Sequence, residues 1–269
     1  MNKSVLLIAA AAAAVGTPQV ASAETTSDQA WLDLGAFAAH IDSDLRLSNP
    51  NLGIPGTRVD FESDLGLDSS RVMPKVSAGV RFLRRFRLEG DFFQLSRSGH
   101  LPLKGTLVID DTVFPINVDV HSKFKTNIYR VALGYSFVRN DNVELGVAVG
   151  AHITDAAFRI RGEGPLGITL EEHRSKSAPL PNVGLYGSTG LGGNFSLVGN
   201  VDAFKMKYGK YKGQLFDAQA AVQYRFATHF GGGLGVRYAY YKVSGHASDW
   251  HGVLRYDYFG PLAYLELAF

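Results

Sequence analysis

From Ala30 onward the chain alternates apolar and polar positions with a period of two, the signature of strands with one greasy and one mixed face. The final stretch shows it most plainly. Phe259, Pro261, Ala263, Leu265, Leu267 and Phe269 share one face, and Gly260, Leu262, Tyr264, Glu266 and Ala268 the other. A first segment over 30–41 sets Leu32, Leu34, Ala36 and Ala38 against Asp33. Between 75 and 82, Val76, Ala78, Val80 and Phe82 oppose Lys75, Ser77, Gly79 and Arg81. The segment 214–226 sets Phe216, Ala218, Ala220, Val222, Tyr224 and Phe226 against Asp217, Gln219, Ala221, Gln223 and Arg225. Further segments begin near 86, 129, 143, 182, 195 and 230, which makes ten, with eight as the alternative if two are loop.

Turn signals near 84, 140, 193 and 228 are short, and connections near 57, 110, 167, 210 and 249 are long. Asp42 to Arg71 reads as an acidic loop, and Arg159 to Lys176 as a looser stretch. The hairpin from Phe86 to Phe137 reads as one ladder pairing without a break around Asp110 and Asp111. It carries Leu107, Val108, Ile109, Val113, Phe114, Ile116 and Val118 to its tip, where they need cover from the first loop or from a partner.

The charges fall on one face. Asp33, Glu89, Asp91, Glu144, Asp202, Asp217 and Glu266 share it with Lys75, Arg81, Arg87, Arg130, Arg225 and Arg237, while the opposite face is hydrocarbon-like. A closed barrel of this size has no room inside for so many large rings, so the apolar face belongs in lipid and the ionic face in the lumen. Phe137, Phe195, Phe226, Phe230 and Phe269 at the short-turn end form one interfacial girdle. Acids and bases nearly cancel and should pair, because an unpaired buried charge costs several kcal/mol. Across the turns near 84 and 228, Glu89 lies diagonally from Arg81 and Asp217 from Arg237. A salt-bridged plug is favoured over a narrow, porin-like passage for small solutes.

Met1-Asn2-Lys3, the apolar run from Val5 to Val15 and Ala21-Ser22-Ala23 have the form of a secretory signal peptide over 1–23, leaving 24–269 as the barrel. After it no run of 18 apolar residues occurs, so no helical anchor is expected. With 0 Cys there is neither a disulfide framework nor a thiolate metal site. A net charge of +2 gives no electrostatic case for nucleic acid as a partner.

A terminal alternating strand closing on Phe269 resembles the last strand of bacterial outer-membrane β-barrels. The chain looks like a small barrel of the broad OmpA- or OmpW-like kind. The resemblance implies an all-β, antiparallel, up-and-down transmembrane barrel in the outer membrane with both termini periplasmic. It also implies that Phe269 is an assembly signal for the barrel assembly machinery, and that lipid and lipopolysaccharide are partners. The expected role is a non-enzymatic one at the cell envelope, without cofactor or metal.

Two local patterns carry the alternative of a rim enzyme. His246-Ala247-Ser248 resembles the His-x-Ser pair of outer-membrane lipid A deacylases, with Asp249 or Asp257 as orienting acid. Asp110-Asp111 with His100 or His121 resembles the acidic and His rim of outer-membrane aspartyl-type proteases. The Asp-rich first loop (Asp42, Asp44, Asp60, Glu62, Asp64, Asp68) lacks the spaced pattern of a Ca²⁺ loop. Lys205, Lys207, Lys210 and Lys212 gather at one hairpin top, within reach of lipopolysaccharide phosphates.

Overall fold

The computed structural model describes residues 28–49, 54–102, 107–109, 112–114, 119–163, 169–208, 211–246 and 251–269. The expected signal peptide therefore lies outside the described residues. Among the described residues thirteen strands follow one another: β1 (Ala30–Asn49), β2 (Ile54–Asp60), β3 (Ser70–Phe82), β4 (Phe86–Pro102), β5 (Leu107–Ile109), β6 (Thr112–Phe114), β7 (Asp119–Arg139), β8 (Val143–Glu163), β9 (Thr169–Gly192), β10 (Phe195–Tyr208), β11 (Tyr211–Ala227), β12 (Phe230–His246) and β13 (His251–Ala268).

Ten of them, β1, β3, β4 and β7 to β13, pair antiparallel with their neighbours, and β13 closes on β1. Closure leaves no open edge in the wall, which a strand protein in lipid requires. The turns fall where the sequence puts them. Arg84 and Asn194 take left-handed backbone angles (φ 62° and 67°), and Gly192 and Gly193 supply the same freedom beside Asn194.

The registers fix the shape. Carried round the wall, Ala30 pairs with Val80, then Leu88, Leu133, Val149, Val183, Ala203, Phe216, Tyr240 and Asp257, and returns to β1 at Asp42. The stagger of twelve residues over ten strands tilts each strand by roughly 40° and gives about 2.5 Å of height per residue. Height counted from the short-turn end then orders every side chain along the barrel axis.

In the lower part of the wall the sequence pattern holds. Val183, Leu185, Leu234 and Leu265 stand outward at 60–71% exposure, an apolar surface that only lipid can cover. About 25 Å up, the pattern inverts on the same strands. On β7, Tyr129, Val131 and Leu133 face out and Arg130 in, but higher up Phe124 and Ile128 are buried while Lys123 and Lys125 face out. On β1, Leu34 faces out below, whereas Phe37 and Ile41 are buried above and His40 and Asp42 exposed. On β12 and β13, Tyr241, Tyr256 and Tyr258 point in beside outward Lys242, Arg255 and Asp257. Below the inversion the barrel has lipid outside and ions inside. Above it there is water outside and a dry core inside.

The inversion explains where the sequence reading of the long connections departs from the structure. Asp42 to Arg71 is not one loop. The β1 ladder continues to Asn49, β2 pairs back onto its upper part, and among the described residues of this stretch only 61–69 lie outside a strand. Polar outward residues replace the apolar ones above the membrane, so alternation fades while backbone pairing persists. β8 and β9 likewise extend to Glu163 and from Thr169 through the stretch that reads as loose. The described parts of the long hairpin share one register, with Pro102 opposite Asp119 and Leu107 opposite Phe114, and β5 and β6 form a two-stranded sheet.

Candidate functional site

The lumen is filled in two layers. In the lower layer Arg130 is the hub: its Nε donates to Asp202 at 2.7 Å and its Nη1 to Asp91 at 2.9 Å and Glu89 at 3.3 Å. Asn182 adds a 2.7 Å bond to Asp202, and Ser77 donates to Asp91 at 2.6 Å with Lys75 3.7 Å away. Beside it Arg237 grips Asp217 through two nitrogens at 3.0 and 2.6 Å, the fork geometry that suits guanidinium to carboxylate. His152 is buried with its Nε2 3.8 Å from Asp217.

Nearer the turn end Arg81 pairs with Glu144 at 2.5 Å, and Ser136 donates to Glu144. Arg87 bonds Glu89 at 2.9 Å and lies 3.2 Å over the Tyr186 ring. Arg225 holds Asp28 and Glu266 at 2.5 and 2.9 Å. The expected diagonal between Asp217 and Arg237 is thus an ion pair. Glu89 and Arg81 are diagonal in register but go elsewhere, Glu89 to Arg87 and Arg130, and Arg81 to Glu144. Asp33 makes no ion pair among the described residues and lines a polar cavity of about 110 Å³ with Trp31, Lys75 and Gln223. Such a cavity suits water.

The upper layer is apolar, and sequence reasoning missed it. Phe37, Phe93, Tyr256, Tyr258 and Tyr241 pack together, with Tyr241 stacked on Tyr256 at 4.8 Å and Phe37 edge-on to Tyr258 at 5.5 Å. The 61–69 segment folds into this layer. Phe61 stacks on Phe158 at 5.4 Å and meets Phe124 at 5.7 Å, while Leu65 and Leu67 are buried. One fully buried cation ties the segment down. Arg97 on β4 pairs with Glu62, donates to Ser43 Oγ at 2.6 Å, and Glu62 accepts from the Ser43 amide at 3.0 Å. The inward parity of Arg97 is legible in the sequence. Its partner is not, because Glu62 comes from a turn.

Comparison with solved structures places this architecture. The outer membrane protease OmpT from Escherichia coli superposes with a TM-score of 0.58 at 13% identity, over 92% of this chain and 100% of that one. The fold is that of a bacterial outer-membrane β-barrel. The translocator domain of the autotransporter NalP from Neisseria meningitidis follows at a TM-score of 0.47 and 10% identity, over 86% of this chain and 88% of that one. The P. putida toluene transporter TodX gives 0.38 and 8%, over 92% of each chain. No protein-family model and no curated protein matches the chain. At such identities the likeness concerns the fold alone.

In this outer-membrane barrel the residues proposed for chemistry fall partly outside the described residues. Ser248, Asp110, Asp111 and Lys210 lie outside the described residues, as does the side chain of His246 at the top of β12. His100 and His121 face each other across β4 and β7, stacked at 4.2 Å, on the exposed outer side. Among the described residues His40 and Ser70 meet, 3.4 Å apart on the outer wall. Among the described residues no carboxylate bonds His40, so the orienting acid of a hydrolytic triad is not assembled there. Asp42, Asp60 and Glu62 bring one oxygen each within 4.8 Å of one another, and Glu62 is already engaged by Ser43 and Arg97. Phe269 seals the barrel's seam: its amide donates to Ala30 at 2.9 Å, and its ring stacks on His229 at 5.0 Å.

Proposed function

We propose that this chain is a non-catalytic outer-membrane barrel whose lumen does not conduct, serving the envelope as a surface-exposed structural element with both termini in the periplasm. The two stacked fillings of the lumen carry this reading. A hydrated ion crossing the barrel would have to part Arg130 from three carboxylates, and then pass a layer of packed rings and the buried 61–69 segment. Short turns at one end and long strands rising above the lipid belt at the other support the orientation, because outer-membrane barrels keep short turns on the periplasmic side. The belt height of about 25 Å matches the apolar band of that membrane.

Planar-bilayer recording tests the proposal. Insertion of the purified barrel should add no steady current at moderate voltage. A stable ohmic conductance would refute it and favour a passage for small solutes.

A further inference from the structure

Among the described residues the ion pairs of the lower lumen balance in all but one place. Lys75, Arg87 and Arg130 serve Glu89, Asp91 and Asp202, three for three. Arg81 serves Glu144, and Arg237 serves Asp217. The acids left are Asp28, Asp33 and Glu266, with Arg225 as their single cation, and it bonds Asp28 and Glu266. Arg85 and Arg139, at the neighbouring turns, donate to the backbone carbonyls of Ser136, Phe137 and Arg84. By register Asp33 stands directly opposite Glu266 on β13, where like charges repel. Two negative charges are thus left unmatched within a wall that lipid surrounds, a costly arrangement for groups that water cannot screen.

All three acids line the cavity of about 110 Å³ at the short-turn end, below the Arg130 hub. The cavity also holds buried oxygens with nothing to bond. One carboxylate oxygen of Asp33 and the amide oxygens of Gln219 and Gln223 have no hydrogen bond, and Gln223 is only 3% exposed. Lys75, Arg81 and Arg87 reach the same space, but each is committed: Lys75 to Ser77 at 2.6 Å and to Asp91, Arg81 to Glu144, and Arg87 to Glu89 and the Tyr186 ring. Carboxylate and amide oxygens with two unmatched charges suit a hard divalent cation. An irregular ligand set completed by water suits Ca²⁺ better than Mg²⁺, which demands a near-ideal octahedron. We propose that this cavity binds Ca²⁺, with Asp33, Glu266, Gln219 and Gln223 as protein ligands and water in the remaining positions. So few charged ligands place its Kd at about 10⁻⁴ to 10⁻³ M.

Terbium luminescence of the full barrel in nonionic detergent tests it, with Tb³⁺ standing in for Ca²⁺. Trp31 lines the same cavity, so excitation selective for tryptophan should sensitise Tb³⁺ emission, and added Ca²⁺ should remove it by displacement. Asp33→Asn should weaken Tb³⁺ and Ca²⁺ by at least about tenfold, because ligand charge sets affinity in such sites. Gln223→Leu, which keeps the charge, should weaken both severalfold, and Trp31→Phe should abolish the emission. Asp42→Asn with Asp60→Asn, in the acidic cluster of the upper rim, should change neither emission nor affinity. Heat-modifiable gel mobility verifies folding of each variant, and Gln223→Leu carries the test should Asp33→Asn not fold. Emission that Ca²⁺ does not displace, that survives Trp31→Phe, or that follows the rim pair would overturn the proposal. Undiminished affinity in Asp33→Asn would overturn it too, and would mean that a proton already neutralises Asp33.

Discussion

Arg97 is the residue whose removal should open the top of the barrel without disturbing its wall. Its guanidinium is wholly buried and holds Glu62, Ser43 Oγ and, at 3.4 Å, the Asp68 carbonyl, so it joins β4 to both ends of the 61–69 segment. Truncation to Ala leaves Glu62 a charge without a counter-ion. Breaking a fully buried pair costs about 3–5 kcal/mol, and the 18% exposure of the Glu62 side chain lowers the figure to roughly 2–3 kcal/mol. That is about a 30- to 150-fold rise in the open population of the segment.

The readout is amide hydrogen exchange at Phe61, Asp64 and Leu67, whose N–H groups bond Ser43, Asp60 and Phe61 oxygens at 3.0, 2.9 and 3.0 Å. Those amides should exchange faster by that factor in Arg97→Ala, with β7 and β8 unchanged. Combining Arg97→Met with Glu62→Gln should restore most of the protection, because no buried charge is left unpaired. Exchange at wild-type rates in Arg97→Ala, or no recovery in the double variant, would refute the account of how the segment is held.

The remaining expectations concern the wall and the lower lumen. Leu133→Arg, outward in the middle of the lipid belt, should lower unfolding free energy in phospholipid vesicles by about 2–4 kcal/mol, while Asn127→Arg at the upper edge should cost at most about 1 kcal/mol. Equal costs at the two sites would contradict the height of the inversion. A Cβ at Gly146 would overlap the Tyr186 ring, so Gly146→Leu should displace it from Arg87 and Ser136. Urea unfolding in the same vesicles should register a loss of about 1–3 kcal/mol. Unchanged stability would show that the ring has somewhere else to go.

The sequence by itself determined the membrane-facing part of this protein. Period-two alternation is a local property, and lipid imposes it uniformly, so Leu34, Val149, Val222 and Leu265 declare their side without knowledge of their neighbours. The ten strands, the four short turns and the inward placement of Arg130, Asp202, Asp217 and Arg237 follow from it. Tertiary structure alone decided what those inward groups do. Arg130 meets Asp202 across 72 residues because the stagger of twelve brings β7 and β10 to a common height. The same stagger hands Arg81 to Glu144 and not to the diagonal Glu89. It also sets where the faces exchange polarity. Phe37, Phe93 and Tyr258 have the same inward parity as Asp33, Asp91 and Glu266, and only height along the axis makes one set a dry core and the other an ionic one.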